Sequence, residues 1–124
     1  MKMLRFSVPL YNIDVALIQV EGVSDAERVK ECCEELGLTE GDTESVVDTV
    51  KSDKTDGGDT FRNFEMGRIL VIFYRMTHGK ANIYGHEKRH VEDRILQWCG
   101  VDDMEAAAYL AGFLSEYFDD LRFK

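Results

Sequence analysis

The run Ile69-Leu70-Val71-Ile72-Phe73-Tyr74 is almost wholly apolar. A strand with one wet face alternates polar and apolar residues. This run therefore reads as a strand covered on both faces or lying in the middle of a sheet. It is far too short to cross a membrane, which takes roughly 20 apolar residues. Thr60 to Phe64 lies just before it, across Glu65-Met66-Gly67-Arg68, and the two segments predict a β-hairpin, with Ile69 to Met76 as its second arm and a glycine in the turn.

The rest of the chain is read around that hairpin. Met1 to Val20 is rich in β-branched and aromatic residues, predicting strand from Leu4 to Val8 and again from Tyr11 to Val20, interrupted at Pro9 by an edge or bulge. Ser24-Asp25-Ala26-Glu27 has the pattern of a capping box, and Val29, Cys32, Cys33 and Leu36 follow at helical spacing up to a stop at Gly37. Thr39 to Asp59 is polar and acidic and reads mostly as loop, with a short helix or strand at Glu44 to Val50. Asp53, Asp56 and Asp59 lack the alternating oxygen ligands and closing glutamate of a calcium-binding loop. A helix is predicted from about Ala81 to Cys99, ended by Gly100, and another from Asp102 or Asp103 to about Asp120. The order predicts one α+β domain over residues 1–124: a small, mainly antiparallel sheet with an N-terminal helix and a C-terminal two-helix unit.

Charge and cysteine content narrow the function classes. With 24 acidic and 15 basic residues the net charge is -9, which argues against binding nucleic acid through its phosphates. Three cysteines, two of them adjacent, make no disulfide framework and suit a reducing compartment, and there is no Cys-x-x-Cys pair for structural zinc. At least one of Cys32 and Cys33 is expected to pack as a small apolar residue. No signal-peptide pattern opens the sequence. A cytoplasmic protein with no membrane contact is expected, as a monomer or weak homodimer.

The chemistry concentrates in the first C-terminal helix, which contains His86-Glu87-Lys88-Arg89-His90. On a helical wheel centred on His90, Tyr84, Val91, Ile95 and Trp98 fall between about 80° and 140° and form the apolar face. His86, His90, Asp93, Arg94 and Gln97 fall within about 60° of zero, a separate polar stripe, with Glu87 between the two groups. Two neutral imidazoles at positions i and i+4 can reach one zinc ion, and the glutamate beside the first is then placed to take a proton from water. Lys88 sits at the margin of the apolar face, and Arg89 is placed to pair with Asp93.

In these residues the chain resembles the zincin metallopeptidases, whose helix motif is His-Glu-x-x-His. The resemblance covers about Thr60 to Phe118. The extended type with a further Gly and His downstream is absent, since Val91-Glu92-Asp93-Arg94 follows His90. The glutamate-liganded type takes its third ligand from the next helix, where "DDMEAAAYLAGFLSEYF" offers Glu105 beside small residues. The resemblance implies His86, His90 and Glu105 as zinc ligands, Glu87 as general base, and the apolar strand before the helix as an edge strand that pairs with an extended substrate; Tyr109, one turn beyond Glu105, is placed to stabilise an oxyanion. Read from the residues alone, Glu105 is equally the third position of a capping box begun by Asp102. Asp93 and His78 are alternative ligands, and Tyr109 is equally a packing residue. The expected function is zinc-dependent hydrolysis of a peptide or protein. The alternative is a non-catalytic interaction protein that keeps the fold and binds a partner, similar in style to small acidic proteins carried by phages and mobile elements.

Overall fold

The computed structural model describes residues 1–63, 65–77 and 81–124. Two strands, β1 (Lys2–Val8) and β2 (Ile13–Gln19), open the chain as an antiparallel pair. They are joined at Pro9 by a turn in which Leu10 and Asn12 take positive φ. Two helices follow, α1 (Ala26–Glu35) and α2 (Glu40–Lys51), then the hairpin of β3 (Gly58–Asn63) and β4 (Arg68–Phe73). The chain ends in α3 (Ala81–Cys99) and α4 (Met104–Phe123). The sheet order is β1-β2-β4-β3, with β2 and β4 parallel and the two outer pairings antiparallel. This is the α+β class the element order predicts, with the mainly antiparallel sheet.

The apolar run lies where its composition requires. β4 is paired on both sides, and helices cover both sheet faces. Ile69, Val71 and Phe73 pack with Tyr84, Val91 and Ile95 of α3 and Leu110, Leu114 and Phe118 of α4. Leu70, Ile72 and Tyr74 point the other way, into a second core with Val29 and Cys33 of α1 and Val46 and Val50 of α2. The period-two alternation of a strand thus feeds two cores from one apolar sequence. It also overturns the edge-strand role expected for this run. β4 pairs with β2 on one side and β3 on the other, so the edge strand next to α3 is β3.

Two local expectations change as well. The polar segment from Thr39 to Asp59 contains, in place of the expected loop, the three-turn helix α2, begun by Thr39, whose side chain accepts from Asp42 N at 3.1 Å. Asp53, Asp56 and Asp59 are engaged by Arg75, Thr77 and the Tyr74 hydroxyl. The capping box at Ser24 is not formed. Instead the buried Asp25 carboxylate accepts from Glu21 N at 2.8 Å and Gly22 N at 3.3 Å. Burial acts to raise the Asp25 pKa, but these backbone donors and the N-terminal ammonium 3.5 Å away hold it below the usual carboxylate range. A depressed folded pKa contributes stability above the unfolded value of about 3.9, and this is lost as pH falls through the folded value. Between pH 5 and 3, thermal unfolding of an Asp25→Asn variant is expected to show a shallower pH dependence than the parent.

Gly37 ends α1 as expected, at φ +78°, with Leu38 N donating to Cys33 O at 3.0 Å. A Cβ there would also sit 2.6 Å from Asn63 Nδ2 and from Met66 Sδ. Gly37→Ala is therefore expected to destabilise the fold by about 1–3 kcal/mol, combining left-handed strain with a clash against the β3–β4 turn. Urea denaturation measures it.

Candidate metal centre

The helix α3 lies over the open edge of the sheet, and its residues divide as the wheel predicts. Tyr84, Val91 and Ile95 enter the core, whereas His86 is exposed and His90 half-buried. Trp98, also assigned to the apolar face, is 39% exposed and lies against the hairpin turn at Gly67. The two histidines stand one helical turn apart with their rings nearly perpendicular, and His86 Nε2 lies 3.0 Å from His90 Nε2. In the neutral state one ring donates to the other. The same gap is close to the roughly 3.3 Å between two nitrogen ligands of a tetrahedral zinc ion, given Zn–N bonds of about 2.0–2.1 Å. The donor set therefore fits zinc at this pair.

Glu87 completes the cluster, turned inward toward β3 and only 4% exposed. Its Oε1 accepts from Thr60 Oγ1 at 2.9 Å, and its Oε2 lies 3.9 Å from His86 Nε2. His86, Glu87 and His90 each offer a ligand atom, all within 4.8 Å of one another. Gly58, on the same face of β3 as Thr60, makes this approach feasible, because a Cβ there would come within 2.9 Å of Glu87 Cγ and 3.2 Å of Ile72 O. Gly57, Gly58, Asn82 and Ile83 line, with His86 and Glu87, an open depression of about 410 Å³.

Nothing in the local sequence marks Thr60 and Gly58 as part of the site. They lie 27 and 29 residues before Glu87, and only the pairing of β3 with β4 beneath α3 brings them there. Thr60→Val is expected to lower stability by about 1–3 kcal/mol, because it leaves a carboxylate oxygen buried without a donor. Thr60→Ser, which keeps the hydroxyl, should recover most of that loss in the same denaturation experiment.

The other candidates fall elsewhere. Glu105 is exposed and outside the cluster, and its backbone N–H donates to Asp103 Oδ1 at 3.0 Å. Asp103 rather than Asp102 is the N-cap of α4. The reason is geometric. In an antiparallel helix pair the start of α4 meets the end of α3, and His90 lies nine residues before Cys99, roughly 13 Å back along the axis. Tyr109 is 46% exposed and stacks on Phe113, with ring centroids 6.3 Å apart. Asp93 pairs with Arg89 at 3.2 Å, as its spacing predicts, and Lys88 pairs with Glu92 at 3.4 Å. Both cations between the histidines are thus engaged by carboxylates one turn further along the helix. His78 lies outside the described residues.

Among the described residues, no helix is long and apolar enough to cross a membrane. Cys33 is buried, with its thiol pushed up to about 11 by burial, while Cys32 is half-buried and Cys99 exposed. No protein-family model, curated protein or solved structure matches the chain.

Proposed function

We propose that the chain binds a zinc ion through His86 and His90 and hydrolyses amide bonds of an extended peptide, with Glu87 as the proton acceptor. The observation that carries the reading is the convergence of two imidazole nitrogens and one oriented carboxylate within 4.8 Å on a single helix. A zinc ion held there supplies a Lewis acid for the scissile carbonyl. The remaining work falls to the chain. Thr60 holds one Glu87 oxygen, so the other stays turned toward His86 and can take a proton from water and pass it to the leaving amine. The outer edge of β3 offers backbone donors and acceptors beside the histidines, suited to an extended chain.

A second reading is a metal-dependent interaction surface without catalysis. It is favoured by the histidines being the two nitrogen ligands in the cluster, where zinc hydrolases use three protein ligands. Zinc-loaded parent and Glu87→Gln proteins, assayed on a mixture of quenched fluorescent peptides, separate the two. The hydrolase reading predicts cleavage by the parent that falls by about 10²–10⁴-fold in the variant while zinc stays bound. Zinc binding without cleavage by the parent supports the second.

A further inference from the structure

His86 and His90 give a metal ion two nitrogen donors, and tetrahedral zinc takes four ligands. Among the described residues, the same chain adds only Glu87 to the cluster. That carboxylate is turned inward, with one oxygen held by Thr60. Asp93 is engaged by Arg89, and Glu105 stands outside the cluster. The two donor atoms are at the distal ends of their rings, and the His86 side chain is 67% exposed. An ion bridging the ring tips therefore turns its remaining positions toward solvent.

The setting of the pair favours one source for the missing donors. The chain carries a net charge of -9, so its surface as a whole repels a second copy. The helix α3 is different, because three cations, Lys88, Arg89 and Arg94, balance three carboxylates, Glu87, Glu92 and Asp93. Repulsion from the rest of the chain is screened beyond about 10 Å at 0.1 M salt. Asn82 and Gly85, both exposed and close to His86, are small and uncharged, so a facing imidazole meets no bulky neighbour there.

We propose that at limiting zinc two copies of this chain share one ion, His86 and His90 of each copy supplying its four ligands. The proposal rests on the zinc reading of the pair and adds its partner and its regulation. Two imidazoles at fixed spacing on a helix bind with little further ordering. With every position taken by nitrogen, water does not reach the metal, so the shared form is a closed state of the hydrolytic site. Excess zinc gives each pair its own ion, which restores one zinc per chain and a monomer by mass action.

Sedimentation velocity of the full chain through a zinc titration tests this, with chelator competition on the same samples measuring zinc affinity. At about half an equivalent of zinc the mass is expected to double, and at about fivefold excess it should return to that of the monomer. The His86→Ala and His90→Ala chains should stay monomeric throughout. Zinc binding by a chain that is monomeric at every ratio would overturn the shared site and leave the single-chain reading standing. In that case a lower affinity in His78→Ala would place the missing ligand in the same chain. Absence of zinc binding would overturn both. Dimers that persist in His86→Ala, or that keep growing in excess zinc, would assign the association to other residues and overturn the proposal as well.

Discussion

Replacing His90 by alanine is expected to lower zinc affinity by about a hundredfold or more, measured by competition with a chromophoric chelator. The two Nε2 atoms, 3.0 Å apart, supply the nitrogen pair, and either alone leaves a single imidazole beside a carboxylate. Loss of a mere outer partner of a ligand already weakens metal binding by about 10–100-fold, so loss of a ligand should exceed this. His90 is half-buried on a helix surface and alanine is the best helix former, so the fold should persist with Tm within a few degrees. His86→Ala should behave alike. Arg89→Ala is the informative control, because Arg89 is 72% exposed and pairs with Asp93. It should leave zinc affinity within about twofold, as expected for a surface ion pair.

The largest stability effect is expected at the centre of the sheet. Phe73 is fully buried, stacked on Tyr84 with centroids 4.3 Å apart and meeting Phe118 edge-on at 6.1 Å. Tyr84 in turn donates its hydroxyl to Gln19, which donates to the Tyr74 and Val20 carbonyls, so strand and helix are locked at the same end. Phe73→Ala removes the ring that joins β4 to both C-terminal helices. Truncations of this kind cost about 3–5 kcal/mol, against a total of about 5–15 kcal/mol for a domain. Urea denaturation should show a midpoint reduced by about a fifth or more. An effect under about 1 kcal/mol would mean that α3 and α4 do not depend on β4 for their seat.

These effects show which features local sequence encodes. The apolar run, Gly37, the helix from Ala81 to Cys99 and the Arg89–Asp93 pair were legible because each depends on spacing within a few turns. The helix α2 was obscured by one glycine, two aspartates, two threonines and three valines, residues of weak helix propensity. Its signal was still present, since Thr43, Val46, Val47 and Val50 follow i, i+3, i+4 and i+7 and are all buried. Sheet order was not legible. Nothing in the strand sequences states that β2 and β4 pair in parallel, which makes β3 the edge beside the histidines. The same limit hid Thr60 and Gly58 and made Glu105 look closer to His90 than the antiparallel helices allow.

The central claim is a metal site at the His86–His90 pair, and elemental mass spectrometry of the purified chain beside its His86→Ala variant tests it most directly. The account predicts about one zinc per chain in the parent and loss of that zinc in the variant. A parent that holds no zinc after incubation with the metal, or a variant that keeps it, would contradict the account.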